Sequence, residues 1–133
     1  MKFLLDTHVI LWIAFEDAKI SKKLKKLLLS SENEIYISPV SFWEISIKFH
    51  AGKLNLENLN PETLKIGFDQ FFQYQPLTLS MEDAVSFFKL DKAHHKDPFD
   101  RMLIWQALQN DLILITDDKK FKLYKDCGLK LYS

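Results

Sequence analysis

Short apolar runs alternate along the chain with longer segments in which apolar residues recur at a helical spacing. The short runs predict strands, which are Phe3–Leu5, Glu34–Ile37, Leu112–Thr116, a short strand within Tyr74–Leu79 and an edge strand at Leu129–Tyr132. The longer segments predict helices, which are Thr7–Phe15, Ile20–Leu29, Val40–His50, Pro61–Phe72, Ser80–Leu90, Asp97–Gln109 and a short one at Phe121–Tyr124. This alternation is typical of parallel βαβ units. We therefore expect one α/β domain over residues 1–133.

Acidic residues follow two of the predicted strands directly. Asp6 comes after the run Phe3–Leu5, and Asp117 and Asp118 come after Leu112–Thr116. Such apolar runs are typical of strands buried on both faces, and ligands of open parallel sheets collect outside the carboxyl ends of the strands. Two acids at that edge predict a metal site.

Composition limits what this site can belong to. The chain has 133 residues, of which 47% are hydrophobic, enough to bury a core. Lysine plus arginine equals aspartate plus glutamate at 18 each, so no global basic field points to nucleic acid. The single cysteine, Cys127, excludes an internal disulfide. Asp6 and His8 interrupt the apolar stretch at the N-terminus, so this stretch does not match a signal peptide. No segment reaches membrane-spanning length. We therefore expect a soluble, cytoplasmic protein without membrane contact.

Glu44 lies inside a mostly apolar predicted helix. It has one ordinary explanation, an exposed ion pair with Lys48 at i,i+4. The helix follows the second strand, however, so its first half should lie near Asp6, where Glu44 would point toward the acidic edge. Asp97 is best explained as a helix N-cap, whereas Asp100, in the first turn, would face the same crevice.

Asp6, Glu44, Asp100 and Asp118 together form a set of oxygen ligands suited to Mg²⁺ or Mn²⁺. Clustered carboxylates repel one another unless a cation is present. Such a cluster would hold one or two metal ions, which lower the pKa of a bound water and neutralise charge on a leaving oxygen. The expected reaction is metal-dependent hydrolysis of a phosphodiester.

Four blocks of the sequence resemble the signatures of PIN domains, most closely VapC-type toxin ribonucleases. They are Leu5-Asp6-Thr7-His8, Trp43-Glu44-Ile45, the run from Asp97 to Ile104, and the run from Ile115 to Phe121. The resemblance covers essentially the whole chain. It implies a three-layer α/β/α fold with a central parallel sheet of about five strands, and an endoribonuclease site that uses Mg²⁺ or Mn²⁺.

Residue by residue, the resemblance implies that Asp6, Glu44 and Asp100 are the first three acids of the family and that Asp118 is the fourth. Asp117 occupies the variable position and is the less favoured substitute. Thr7 and Thr116 fall where the family often places an orienting hydroxyl. Arg101 is expected either to clamp a phosphate or to pair with Asp97.

The resemblance also implies partners: an RNA substrate, a second copy of the chain in a homodimer, and a cognate antitoxin whose C-terminal segment covers the acidic groove. The aromatic-rich helices supply a weak independent argument for an interface.

Two other functions stay open: a PIN-like nuclease acting on DNA or in RNA processing, and a non-catalytic binding module, which would be expected to lack one of the four acids. Lys22–Lys26 is equally well explained as a solvated helix face or as a contact for an RNA backbone. Adjacent His94 and His95 lack the spacing of a transition-metal site. The tryptophans have helical spacings that favour packing over base stacking, namely Trp12, Trp43 and Trp105.

Overall fold

A computed structural model describes residues 1–91 and 96–132. Five parallel strands form one sheet in the order β3-β2-β1-β4-β5. The strands are β1 Lys2–Leu5, β2 Glu34–Ile37, β3 Gln75–Pro76, β4 Ile113–Ile115 and β5 Lys130–Tyr132. The α-helices are α1 Thr7–Phe15, α2 Lys22–Leu29, α3 Pro39–His50, α4 Pro61–Phe71, α5 Met81–Ser86 and α6 Pro98–Gln109. Three 3₁₀ helices complete the described elements, at Asp17–Lys19, Phe87–Lys89 and Lys119–Cys127.

Helices cover both faces of the sheet, because successive side chains of a strand point to opposite sides. Phe3 and Leu5 of β1 pack on one face with apolar side chains of α1, α2 and α4. Leu4 of β1 and Leu114 of β4 pack on the other face with α6 and the 3₁₀ helix Lys119–Cys127. This arrangement confirms the predicted three-layer α/β/α fold with a five-stranded parallel sheet.

Most predicted elements lie where the pattern placed them, and the differences have local causes. The helix expected from Ile20 begins only at Lys22, because Ser21 caps it by accepting a hydrogen bond from the Leu24 amide. The third strand has only two residues, and Pro76 within it has no N–H to extend the ladder.

The segment expected as one helix from Ser80 to Leu90 divides into α5 and the 3₁₀ helix Phe87–Lys89. The short C-terminal helix is longer than expected and of 3₁₀ type, at Lys119–Cys127. It ends at Gly128, whose φ of 95° is a left-handed conformation that favours glycine.

The longest described helices, α3 and α6, have 12 residues each, and no described helix is long and apolar enough to cross a membrane.

Candidate active site

The candidate site begins at the carboxyl ends of two neighbouring central strands. Asp6 follows β1 directly, and its amide donates to the Ile115 carbonyl of β4 at 3.0 Å. The β1–β4 pairing therefore extends one residue beyond β1 and holds Asp6 beside Thr116. This is the strand-end position at which the sequence predicted a site.

The hydroxyl of Thr116 joins the two strand-end acids. It donates to Asp6 Oδ2 at 2.8 Å and accepts from the Asp118 amide at 3.0 Å. Asp118 in turn caps the 3₁₀ helix Lys119–Cys127, since its Oδ1 accepts from the Lys120 amide at 2.9 Å. Asp117 between them is exposed to solvent, whereas Asp118 is half-buried. The two hydrogen bonds of Thr116 therefore link Asp6 to Asp118 rather than to Asp117.

Asp6 is only 2% exposed and carries an unusual charge environment. Burial raises its pKa from 3.8 to about 7, and the charge of Asp100 adds to this increase. The Thr116 hydrogen bond, the imidazole of His8, whose Nδ1 lies 4.0 Å from Asp6 Oδ2, and the backbone at Thr7 act in the opposite direction. Within the described residues, Asp6 Oδ1 is buried without a hydrogen-bond partner. This oxygen is thus available to a ligand.

Glu44 lies on α3 and is 3% exposed. The helix starts immediately after β2, with Ser38 as its N-cap, so Glu44 falls at the same edge of the sheet as Asp6. The Thr7 hydroxyl donates to Glu44 Oε1 at 2.8 Å and lies 3.0 Å from Ser41 Oγ. Glu44 Oε2 accepts from Lys48 Nζ at 2.5 Å. The i,i+4 pair expected from sequence is present, but its acid is buried.

Lys48 supplies positive charge to this group of acids. Burial by itself would lower its pKa, but the hydrogen bond and charge of Glu44, helped by the charges of Asp97 and Asp100, raise the pKa above 10.5. The Lys48 side chain remains 39% exposed, so it reaches the acids from the solvent side. Its ammonium is a counter-ion for several carboxylates at once.

Asp97 and Asp100 lie at the start of α6. Asp97 Oδ1 accepts from the amides of Phe99 and Asp100, at 2.9 and 3.1 Å, which is the N-cap expected from sequence. Asp100 is half-buried in the first turn, and its charge reaches Asp6. The first turn of α6 therefore brings a second acid toward the end of β1.

Arg101 points away from this group. Its Nη2 donates to the Leu90 carbonyl at 3.0 Å, and its guanidinium lies 5.1 Å from the centre of the Phe87 ring. Among the described residues it makes no ion pair with Asp97. These contacts anchor the end of the 3₁₀ helix Phe87–Lys89 to α6.

Asp6 and Asp118 thus belong to a hydrogen-bonded group around Thr116, and Glu44 belongs to a second group around Thr7. Across 1–91 and 96–132, no three of the aspartate, glutamate, histidine and cysteine side chains form a group that could enclose a metal ion. The donors are nevertheless those of a hard cation: carboxylate oxygens, with Asp6 Oδ1 buried and unpartnered. The chemistry of these donors fits Mg²⁺ or Mn²⁺, although the described arrangement does not bring three of them within reach of one ion.

The sequence predicted the Glu44–Lys48 pair but not the burial of its acid, and it marked Thr7 and Thr116 without predicting which acids their hydroxyls contact. In the Lys22–Lys26 run, Lys25 is engaged by Asp17 at 2.6 Å. His94 and His95 lie outside the described residues.

Removing the Thr116 hydroxyl should weaken the site without dismantling the fold. If the site catalyses the hydrolysis expected from the sequence, Thr116→Val should lower its rate about 10- to 100-fold, as for other residues that orient metal ligands. The free energy of unfolding should fall by about 1–3 kcal/mol, because Asp6 Oδ2 loses its donor. Cleavage assays and urea unfolding would measure both effects, with Thr78→Val at an exposed position as the control. Unchanged cleavage in Thr116→Val would show that this hydroxyl does not position Asp6.

Solved structures with the same fold support this description. VapBC2 from Rickettsia felis, bound to a DNA fragment from its promoter, aligns with a TM-score of 0.73 at 20% identity, over 99% of this chain and 98% of that chain. VapBC-1 from nontypeable Haemophilus influenzae aligns at 0.70 and 20% identity, over 100% and 98%. DNA-bound VapBC from Salmonella typhimurium aligns at 0.71 and 19% identity, over 99% and 97%.

A comparison with curated proteins gives no match. The model of one family, described as the PIN domain, matches residues 3–126 and therefore includes every acid of the candidate site. The chain belongs to the PIN domain family.

Proposed function

We propose that this protein is a metal-dependent endoribonuclease, the VapC-type toxin of a toxin–antitoxin pair, built as a single PIN domain over residues 1–133. PIN domains are a nuclease family that generally uses divalent metal ions. The observation that carries the proposal is Asp6: a nearly fully buried carboxylate at a strand end, with one oxygen unpartnered and its pKa raised to about 7. Burying a carboxylate oxygen without a hydrogen-bond partner costs folding free energy, so stability does not explain the position of Asp6.

Asp6, Glu44, Asp100 and Asp118 are the residues proposed to hold Mg²⁺ or Mn²⁺. When bound, the metal supplies a water of lowered pKa and positive charge at the leaving oxygen. The four carboxylates follow β1 and β4 and lie on helices α3 and α6, and binding of the cation would have to draw them together from these positions.

The chain's own hydroxyls and lysine prepare these carboxylates. Thr116 orients Asp6 and fixes the backbone of Asp118, while Thr7 orients Glu44. Lys48 keeps Glu44 paired until a cation takes its place. Asp117, exposed beside Asp118, is a secondary candidate for contact with the substrate or metal, whereas the Arg101 guanidinium is engaged by the Leu90 carbonyl.

The proposed partners are an RNA substrate, a cognate antitoxin and a second copy of the chain. The antitoxin rests on the likeness in fold to the VapBC structures. The homodimer rests on exposed apolar side chains near the site, with Trp43 61% and Ile47 42% exposed on α3. We place the protein in the cytoplasm, where RNA is available.

Cleavage of total cellular RNA by purified protein tests the proposal. We expect discrete cuts with Mg²⁺ or Mn²⁺, none with EDTA, and at least about 100-fold slower cutting by Asp100→Asn, which loses one ligand charge. The variant also reports any contaminating ribonuclease, since contamination would survive the substitution. Metal-dependent cutting of DNA with intact RNA would favour the DNA nuclease, and no cutting by well-folded protein would favour a binding module.

A further inference from the structure

Lys48 lies at the solvent side of the candidate site and is held there by a buried acid. Its Nζ lies 2.5 Å from Glu44 Oε2, and the other oxygen of that carboxylate accepts from the Thr7 hydroxyl at 2.8 Å. Glu44 is 3% exposed, whereas the Lys48 side chain is 39% exposed. The carboxylate is therefore held from the protein interior by Thr7 and from the solvent side by Lys48.

Two features separate this pair from an ordinary i,i+4 ion pair on a helix surface. An ordinary pair joins two mobile, solvated side chains and contributes little. Here the acid is buried, so the ammonium is anchored to a fixed point. The charges of Asp97 and Asp100, at the start of α6, also act on this ammonium. Lys48 is therefore within electrostatic reach of acids from both α3 and α6.

The ammonium of Lys48 has capacity for a further acceptor. A lysine ammonium carries three N–H donors. Within the described part of the chain, Glu44 is the one hydrogen-bond acceptor of this ammonium. The side chain is open to solvent, so an oxygen that arrives from solvent can accept a second N–H while the pair with Glu44 stays intact. Loss of that pair would free the third donor as well.

A phosphodiester that enters the site needs such a positive group. The phosphodiester and the surrounding carboxylates carry charge of the same sign, and their repulsion is strong where solvent is partly excluded. A fixed ammonium offsets this repulsion at the phosphate itself, and it needs no rearrangement when further negative charge develops during the reaction. Lysine commonly binds phosphate groups as a point charge.

We propose that Lys48 donates a hydrogen bond to a non-bridging oxygen of the phosphodiester to be cut, while Glu44 fixes the ammonium in place. The inference rests on the proposed function and adds one catalytic residue to its four acids. Lys48 keeps its protons throughout. Water still forms the new bond to phosphorus and supplies the proton that the leaving oxygen takes when the ester bond breaks.

Binding of two matched RNAs tests the contact without cleavage. A short single-stranded RNA that spans one cut mapped in total cellular RNA would carry either the ordinary phosphodiester or an uncharged methylphosphonate at that position. Both would have 2′-deoxyribose on the 5′ side, so that no neighbouring hydroxyl attacks the methylphosphonate. Affinities would be measured in Ca²⁺, which takes the same oxygen ligands as Mg²⁺.

Lys48→Met should bind the ordinary RNA about 5- to 30-fold more weakly than wild type, because one charge-assisted hydrogen bond is lost at a partly exposed position. The slope of log K against log salt should become shallower by about 0.7, the value for one phosphate contact on a single strand. The methylphosphonate that replaces the contacted oxygen should weaken binding by wild type more than binding by Lys48→Met, since the variant has no contact left to lose.

Cleavage in Mg²⁺ supplies the second measurement. Lys48→Met should cut the ordinary RNA about 100- to 1,000-fold more slowly than wild type in single turnover, as for loss of a donor that stabilises the transition state. Lys48→Gln keeps a donor near Glu44 but no charge, and it serves the same comparisons if Lys48→Met does not fold.

Lys53→Met is the matched control. Lys53 is exposed and lies just beyond the end of α3, so the substitution removes the same charge close by. It should leave the affinity, the salt slope and the cleavage rate close to wild type. Equal losses in Lys48→Met and Lys53→Met would overturn the proposal, because they would reflect net charge alone.

A purely structural role of Lys48 gives a different pattern. If Lys48 only neutralises Glu44, Lys48→Met should lower stability, but the methylphosphonate should weaken RNA binding by the same factor in wild type and variant. That equality would overturn the proposal.

The same proteins separate this inference from the proposed function. A methylphosphonate effect that depends on Lys48, without any metal-dependent cutting, would keep the phosphate contact and remove the nuclease. Metal-dependent cutting by Lys48→Met at the wild-type rate would keep the nuclease and remove the contact.

Discussion

Asp6→Asn is expected to lose RNA cleavage by at least about 100-fold and yet to unfold at a higher temperature than wild type in metal-free buffer at pH 8. The activity falls because a charged oxygen ligand becomes a neutral amide. The stability rises because asparagine keeps nearly the same shape while removing a buried charge that faces Asp100. An ordinary loss of a structural contact would lower stability instead.

The pH dependence of this gain follows from the pKa of Asp6. The folded pKa of about 7 lies above the ordinary aspartate pKa of 3.8, so the folded state binds the proton more tightly. This contribution to stability is fully present below pH 4 and is lost as the pH rises to about 7, by up to about 4 kcal/mol. Asp6→Asn should remove that decline. Urea unfolding with EDTA at pH 5 and pH 8 measures it.

Asp126→Asn provides the control, since it removes one exposed carboxylate from the neighbouring 3₁₀ helix. It should follow wild type at both pH values and should retain cleavage. The expectation would be wrong if wild type were equally stable at pH 5 and pH 8 and Asp6→Asn were no more stable than wild type. Burial would then not raise the pKa of Asp6.

Lys48→Met is expected to destabilise the metal-free protein by about 1–3 kcal/mol. Removing one partner of a buried ion pair costs more than this in general, but the Lys48 side chain is 39% exposed, and solvent screens part of the loss. Glu44 would remain buried and would keep, among the described residues, the hydrogen bond from the Thr7 hydroxyl. Thermal unfolding with EDTA measures the cost, and Mg²⁺ should recover a large share of it if Glu44 then binds the metal.

A double-mutant cycle separates the charge of Lys48 from its packing. Adding Glu44→Gln to Lys48→Met removes the unpaired buried charge, so the double variant should be more stable without metal than Lys48→Met alone. It should also lose the recovery in Mg²⁺. A double variant as unstable as the sum of the two single ones would assign the effect to the Lys48 methylene groups.

The sequence predicted the strands, the acids at their ends and the cap at Asp97 because each depends on local order along the chain. An acid that directly follows an apolar strand lies at the carboxyl end of that strand, and this relation requires no information about distant residues. Asp97 accepts from amides two and three residues ahead, which is also a local relation. The family resemblance added the three-layer arrangement, which the structure confirms.

Side-chain directions could not be predicted in the same way, because they depend on residues brought together only by folding. Glu44 turns to Lys48 and Thr7, and its burial follows from packing of α3 that an i,i+4 pattern does not contain. Lys119, Lys122 and Lys125 share one face of their segment only because it is a 3₁₀ helix, since three residues per turn align side chains at i, i+3 and i+6 whereas an α-helix would turn them apart.

The hydrogen bond between Thr116 and Asp6 spans 110 positions of the chain. β1 lies at the centre of the sheet and pairs with β4, whose residues are added late in synthesis. On the ribosome, Asp6 and Glu44 are therefore synthesised long before Thr116 and Asp118 can join them. Until β4 pairs with β1, Asp6 Oδ2 therefore lacks its Thr116 donor, and the hydrogen-bonded link between Asp6 and Asp118 cannot form.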